Sequence, residues 1–297
     1  MERKEHNECL ISGSKDLRRL KGYEEANLVK SEPLGFVFSK SIPTNEELVK
    51  HYEKYSRQDY LSPVTIKRYD ELLAMFEKYR KTNRMLDAGC GIGYFLQYAA
   101  KKGWEVYGTE FTDAAIESCE AKGIIMKKGQ LSVDWYEEGF FDIITSFEVL
   151  EHINNPVPEV NNFQKLLRKG GVLYFTTPNF NCFERFWLRS KYSVICYPEH
   201  LCYYTPRTVN FLMRKMGLHK VSLKTSGISL SRLSNSCAQA GEAVIDTKKI
   251  ISGTTKDEKL RVWTENFFIG NFVKRAINMV LNTFNIGNSI KGLYIKE

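Results

Sequence analysis

The residues best placed for chemistry lie in Met85–Gly93, MLDAGCGIG, and at Glu110. A short apolar run ends in Asp87, and Gly89, Gly91 and Gly93 follow at alternate positions around Cys90. A second apolar run, Val106–Thr109, ends at Glu110. This is the layout of a nucleotide-type cofactor site on an α/β sheet: a strand stops, the backbone turns over glycines, and a helix starts at Tyr94. Glycines are needed where a Cβ would collide with the ligand or forbid the turn. A carboxylate at the end of the second strand accepts hydrogen bonds from two ribose hydroxyls. The spacing separates cofactors. A dinucleotide site wants G-x-G-x-x-G, to set a pyrophosphate on the helix N-terminus. Here the pattern is G-x-G-x-G with Asp87 two residues ahead. A carboxylate there repels a pyrophosphate and suits a cofactor carrying an amine and a sulfonium.

The elements that must position these residues follow from the apolar patterning. Strands are expected at Arg84–Asp87, Glu105–Thr109, Ile124–Lys127, Phe141–Ser146, Val172–Thr176 and Leu218–Thr225. Helices are expected at Tyr94–Lys102, Asp113–Lys122, Pro156–Arg168 and Thr208–Met216, with Gly170-Gly171 as a turn. Strands alternating with helices define an α/β, doubly wound, mainly parallel sheet. Ahead of it, Thr44 and Glu47 have capping-box spacing for a helix through about Tyr55, and a second helix spans roughly Val64–Tyr79. Residues 231–285 break the alternation and read mostly as helix, before a last strand in Gly287–Lys296. A hairpin link is normally short, so so long a stretch is an insertion.

Three segments, in order, resemble class I S-adenosylmethionine-dependent methyltransferases. Met85–Gly93 resembles their first motif. Ser146–Ile153, SFEVLEHI, resembles the segment after strand four, and Pro198–Pro206, PEHLCYYTP, resembles the segment before the last long helix. The resemblance implies a Rossmann-like seven-stranded sheet. It implies a loop of Asp87, Gly89, Cys90, Gly91 and Gly93 against the methionine part of S-adenosylmethionine, Glu110 on the ribose, and Phe111 and Gln130 beside the adenine. Backbone near Phe147 would meet the methionine portion. Gln130 also fits an ordinary surface loop. In the N-terminal helices, Tyr55 or Tyr60 would touch the cofactor or simply pack the helices together.

Ahead of the helices, Cys9–Ser14 and Ser31–Thr44 resemble the two halves of a zinc ribbon found before bacterial enzymes of this type. Cys9 keeps a thiol, but Ser12, Ser31 and Leu34 stand where the other ligands would be. A structural zinc needs four soft or imidazole ligands, so the expectation is no metal and a small apolar core of Leu10, Leu28, Val29, Phe36 and Phe38. The resulting division is a degenerate ribbon at 1–43, covering helices at 44–80, the methyltransferase domain at 81–230 and 286–297, and a helical insertion at 231–285.

Transfer from a sulfonium is mainly a matter of orientation. An alcohol acceptor must also lose a proton, which a histidine of near-neutral pKa can take. His200 is the first candidate base and His152 the second; a structural hydrogen bond is the alternative for each. The leading expectation is O-methylation of a sugar or related small metabolite, a small-molecule or glycan acceptor. A quinone-pathway or other small-molecule methyltransferase is the next reading, and a cofactor-binding module without chemistry the third.

Composition bounds these readings. The 297 residues carry a net charge of +8, but the basic residues lie in short groups with no long run, which disfavours nucleic acid. Seven cysteines without paired spacing, and the charged start MERKEHNE, read as reduced thiols in a cytoplasmic protein. No uncharged apolar run approaches the roughly 18 residues that span a membrane. Glu258–Phe284 has one apolar side dotted with Lys and Arg. It reads as a cap on the enzyme's own core or a homodimer face, or else as a peripheral contact with the inner face of the membrane.

Overall fold

The computed structural model describes residues 4–44, 47, 63–228 and 268–297. The chain divides into two compact units. One comprises Met1–Val64, Pro178–Pro206 and Lys224–Ile290; the other comprises Thr65–Thr177, Arg207–Leu223 and Lys291–Glu297.

The first unit begins with an antiparallel meander, β1 (Leu17–Arg19), β2 (Leu28–Ser31) and β3 (Val37–Ser39), with Leu17 opposite Ser31 and Leu28 opposite Ser39. Its expected core forms: Leu28, Val29, Phe36 and Phe38 are buried, with Phe36 and Phe38 stacked at 5.6 Å between ring centres. Leu10 is only half-buried, and its neighbour Ile11 is fully enclosed instead. Two turns match in geometry. The Gly13 N–H donates to the Cys9 carbonyl (2.9 Å) and the Gly35 N–H to the Ser31 carbonyl (2.7 Å). In the first, the Cys9 sulfur accepts the Ser12 N–H at 3.4 Å. The capping box forms as expected: Thr44 N–H donates to the Glu47 carboxylate (2.9 Å), and Glu47 N–H donates back to the Thr44 hydroxyl (3.2 Å). Tyr55, Tyr60 and most of the helix expected after this cap lie outside the described residues.

In the second unit α1 (Pro63–Phe76) leads to β4 (Arg84–Ala88), α2 (Tyr94–Lys101), β5 (Glu105–Glu110), α3 (Asp113–Glu120), β6 (Ile125–Lys128), β7 (Phe141–Phe147), α4 (Pro156–Leu166) and β8 (Leu167–Pro178). β5–β4, β6–β5, β4–β7 and β7–β8 all pair in parallel. Crossovers bring the chain back each time, through α2, α3 and α4 and, between β6 and β7, through a loop with a short turn at Val133–Trp135, so the same strand ends collect on one edge. Phe76, Met85, Leu96, Ala99, Ile143 and Val172 are fully enclosed between helices and sheet. At roughly 1.5–3 kcal/mol for each large apolar side chain, this burial holds the layers together.

Two later strands complete the sheet, after β9 (Cys202–Tyr203) and α6 (Pro206–Lys215). They are β10 (Leu218–Ser226) and β11 (Ser289–Lys296), and the strand order is β10-β11-β8-β7-β4-β5-β6. This is the expected Rossmann-like, mainly parallel seven-stranded sheet. β9 instead pairs antiparallel with β3, giving the first unit a four-stranded sheet. That unit also contains α5 (Phe183–Leu188) and α7 (Phe268–Thr283). No described helix is long and apolar enough to cross a membrane.

Three local expectations are corrected. The helix before β8 ends at Leu166 rather than Arg168, and the strand starts at Leu167 rather than Val172. Gly170-Gly171 is therefore no turn between elements. It lies inside β8, where the register with β7 shifts between Phe141 and Ile143. The cause is Arg168, whose guanidinium bonds the Asp142 carboxylate and the Tyr79 carbonyl and draws its backbone into the sheet. α5 and β9 were not expected at all, because six- and two-residue elements carry too little periodicity to see.

Asp142 is the anchor of this region. Fully buried, it accepts N–H groups from Lys81 (2.8 Å), Thr82 (2.6 Å) and Asn83 (2.9 Å) as well as Arg168, and so holds the chain leading into β4. Burial works to raise its pKa, but Arg168 and the backbone N–H groups outweigh it and hold the carboxyl below its usual value. Asp142→Ala should cost about 3–5 kcal/mol in urea unfolding at neutral pH, because it strands a buried guanidinium. A depressed folded pKa stabilises above the ordinary carboxylate pKa of about 4 and loses that effect as pH falls through the folded value. The gap between wild type and variant should therefore narrow in acid.

Candidate cofactor site

Five of the expected residues meet at the carboxyl edge of the sheet, where open α/β sheets bind ligands. Asp87, on β4, is 3% exposed and its carboxylate accepts the Thr145 hydroxyl of β7 at 2.7 Å. After it the loop docks on the end of β5. The Gly89 N–H donates to the Thr109 carbonyl (3.0 Å) and hydroxyl (3.2 Å), and the Cys90 N–H to the same carbonyl (3.0 Å). Glu110 then ties the two binding segments together. One carboxylate oxygen accepts the Gly91 N–H at 3.0 Å, the other its neighbour Phe111's N–H at 2.7 Å. An ionised carboxylate has about four acceptor sites, so Glu110 retains capacity for hydroxyl groups.

The glycines of this loop differ in what they leave room for. A Cβ on Gly93 would stand 2.6 Å from Ile124 and 2.7 Å from the Cys119 sulfur, so this glycine serves packing of α2 and α3. A Cβ on Gly91 would meet nothing within 4 Å, although its φ of +55° already excludes most side chains. Gly91 therefore faces open space beside the Glu110 carboxylate, with the Asp87 carboxylate four residues back as a second negative group that feels Glu110; acids so placed suit a ligand bearing an amine and a sulfonium. Cys90 contributes its backbone to the loop. Its sulfur lies 3.9 Å from both the Cys119 and Met126 sulfurs, over Gly108, whose missing Cβ gives it space.

Burial pushes the Asp87 carboxyl up to about 7; the nearby Glu110 charge adds to the rise, and the Thr145 hydroxyl opposes it. Thr109 and Thr145 are the positioning residues that sequence reasoning missed. Each lies near the end of its strand, and only the register of three strands shows that the Thr109 hydroxyl meets the loop and the Thr145 hydroxyl meets Asp87.

Further along the same edge, Phe111 is 63% exposed. Gln130 follows β6, two residues past Lys128, which is the register partner of Glu110. It is exposed. Phe147 ends β7, half-buried, with its ring packed on Phe95 (5.1 Å) and Tyr174 (5.8 Å). Glu148, next to it, takes a φ of +54°, which turns the chain sharply off the strand into the segment bearing His152.

The two histidines belong to different units. His152 closes the short turn Leu150–His152, with Nε2 at 3.9 Å from the Glu151 carboxylate. Glu151 is nearly buried and accepts the Thr177 hydroxyl at 2.9 Å. His200 lies in the first unit, its Nδ1 2.7 Å from the Val194 carbonyl. A carbonyl can only accept, so Nδ1 carries the proton and Nε2 of the neutral ring keeps its lone pair.

Comparison with known proteins agrees with this geometry. The family model for a methyltransferase domain matches residues 55–223, and the chain belongs to that family. The expected enzyme class, a methyltransferase with S-adenosylmethionine as donor, agrees with that membership. A curated ubiquinone biosynthesis O-methyltransferase of Histophilus somni is 33% identical over 108 residues, 32% of this chain and 45% of its own length. One from Coxiella burnetii is 28% identical over 130 residues, 41% of this chain and 52% of its own. The chain thus spans about half the length of the curated relatives it matches. In fold it is similar to a SAM-dependent methyltransferase from Archaeoglobus fulgidus, with a TM-score of 0.52 and 17% identity over 85% of this chain and 100% of that one.

Two outcomes test the site. Gly91→Ala should leave thermal stability within a few degrees of Gly91 and sharply weaken S-adenosylmethionine binding in calorimetry, whereas Gly93→Ala should lower stability by about 1–3 kcal/mol through overpacking. The pH dependence has a definite sign. A cationic ligand favours the ionised form of Asp87, so affinity should fall as pH drops below about 7, by up to tenfold per unit, with proton release on binding in that range. Affinity that is flat from pH 5.5 to 8 would remove Asp87 from contact with the ligand's charge.

Proposed function

We propose that this protein is an S-adenosylmethionine-dependent O-methyltransferase acting on a hydroxyl of a small molecule, of the kind met in ubiquinone biosynthesis. The observation that carries the donor is the open space at Gly91 beside the Glu110 carboxylate, on the loop that follows the buried Asp87. S-adenosylmethionine supplies a methyl group already activated on a sulfonium. The chain's part is to bind and align. Asp87 and the glycine loop hold the methionine end, Glu110 takes the ribose hydroxyls, and Phe111 with Gln130 flanks the adenine. His200, whose Nδ1 donates to the Val194 carbonyl, takes the acceptor's proton at Nε2; His152 is the second candidate.

The curated relatives support a quinone-pathway acceptor over the sugar that the N-terminal segment suggests. A second feature supports an apolar acceptor reached at a lipid surface: α7 leaves Ile277, Met279 and Val280 exposed, and Phe284 beyond it is 66% exposed. The matched turns Cys9–Gly13 and Ser31–Gly35 favour the other reading, methylation of a sugar by a ribbon-bearing enzyme.

Methyl transfer from labelled S-adenosylmethionine, run against hydroxylated quinone precursors and against sugars and nucleotide sugars, separates the two. Turnover with the first set alone is expected; turnover with sugars alone would reverse the assignment. His200→Ala should lower kcat by about 10²–10⁴ at unchanged cofactor affinity. Full activity in that variant, with loss in His152→Ala, would move the base to His152.

A further inference from the structure

Two thiols meet where the glycine loop packs on α3, and the site described above uses neither sulfur. Cys90 stands between Gly89 and Gly91 and is partly exposed; Cys119, on α3, is fully buried. Their sulfurs lie 3.9 Å apart. The Cys119 sulfur also lies 3.3 Å from the Gly91 carbonyl oxygen, beside the turn that the Gly93 N–H closes on the Cys90 carbonyl at 3.1 Å. A Cβ on Gly93 would stand 2.7 Å from the Cys119 sulfur, so helix and turn meet there without a side chain between them.

The pair has the parts of an oxidisable dithiol. The thiolate is the nucleophile, and its surroundings decide which sulfur carries it. Cys90 donates to Cys119, which lowers the Cys119 thiol below its usual value; the Lys122 ammonium acts in the same direction, against burial. The same bond, together with burial, raises Cys90. Lys122 is fixed there by donating to the Ile92 carbonyl and to the Ser118 hydroxyl (2.7 Å). The two sulfurs differ in freedom to move. Cys119 is set in the core with Leu96 and Ile124. Cys90 rides on a loop held by hydrogen bonds, its own N–H to the Thr109 carbonyl and that of Gly91 to the Glu110 carboxylate, each 3.0 Å. Bonded sulfurs sit about 2 Å apart. Closing the pair from 3.9 Å therefore draws Cys90 toward the core and strains both loop contacts. One of them is to the carboxylate assigned to the ribose.

From this juxtaposition we propose that Cys90 and Cys119 are an oxidation site: a hydroperoxide joins them in a reversible disulfide, and the joined form loses its hold on S-adenosylmethionine. The loss of binding rests on the reading of the site given under the proposed function; the disulfide does not. The Cys119 thiolate attacks one oxygen of hydrogen peroxide. The O–O bond breaks, and the departing hydroxide takes up the proton that Cys119 had released, leaving as water. Cys119 is then a sulfenic acid. The Cys90 sulfur displaces its hydroxyl, and the Cys90 thiol proton leaves with that hydroxyl as a second water. Two thiols are oxidised to one disulfide, and one peroxide is reduced to two waters.

The test treats the full chain with hydrogen peroxide, removes the excess with catalase, and follows with peptide mapping by mass spectrometry and calorimetric titration with S-adenosylmethionine. Wild type, Cys119→Ala and Cys119→Val are compared. The map should join the Cys90 and Cys119 peptides at their summed mass less two hydrogens, and dithiothreitol should part them. Oxidised wild type should bind S-adenosylmethionine about 10- to 100-fold more weakly than reduced, with recovery on reduction. Each Cys119 variant should keep its own affinity through the same treatment, and either one suffices if the other does not fold. Cys90 and Cys119 left unjoined, joined to other cysteines instead, or oxidised only irreversibly would overturn the proposal. So would a joined pair with unchanged affinity, or a Cys119 variant that loses affinity as wild type does. Reduced wild type that binds no S-adenosylmethionine overturns the cofactor reading instead, and the peptide map still decides whether the disulfide forms.

Discussion

The site depends on a carboxylate that the sheet keeps dry. Asp87 lies one residue before the end of β4 in the middle of a parallel sheet, nearly buried, with Thr145 as its hydrogen-bond donor and Glu110 as a second negative charge nearby. Two acids so placed repel each other, and each is costly to ionise away from water. Such an arrangement is stable near neutrality only with partial protonation or with a cation beside it. A ligand with a sulfonium and an ammonium supplies the compensating charge. The rest of the local architecture keeps that arrangement rigid. Thr109 pins the start of the loop, Glu110 pins Gly91, and the contacts of Gly93 with α3 fix where the helix begins.

Asp142 plays the corresponding role at the opposite strand ends. It gathers three consecutive backbone N–H groups and Arg168 at the start of β7, so the entry to β4 has one course only. The position of Asp87, four residues beyond Asn83, follows from that. A strand set at one end by a buried acid and closed at the other by a glycine loop delivers the side chains near its end to the same place in every molecule. That placement underlies any orientation effect on methyl transfer.

How much of this is legible in the sequence differs by element. The alternating glycines, Asp87 and Glu110 are legible because backbone geometry and charge restrict those positions to very few residue types. The parallel strands are legible as apolar runs buried on both faces. The early start of β8 is not, since Gly170-Gly171 signals a turn locally and only the distant pairing of Arg168 with Asp142 pulls it into the sheet. The role of Thr145 needs the register between β4 and β7, and the bond from Asn162 to the Leu131 carbonyl needs the packing of α4 on the loop after β6. Both come from tertiary contacts at long sequence separation, which leave no local pattern. The N-terminal segment shows the converse: its apolar core is legible residue by residue, with Ile11 enclosed where Leu10 was expected.

The acceptor side is less constrained by physics than the donor side, because a pocket for a small hydroxylated molecule imposes no fixed spacing. The donor is therefore the place to test the account. Calorimetric titration of the purified protein with S-adenosylmethionine, and in parallel with NAD, does so directly. Saturable binding of S-adenosylmethionine with one site per chain, and none of NAD, is the predicted result. Binding of NAD without S-adenosylmethionine would contradict the charge argument built on Asp87 and Glu110, and with it the assignment of the site.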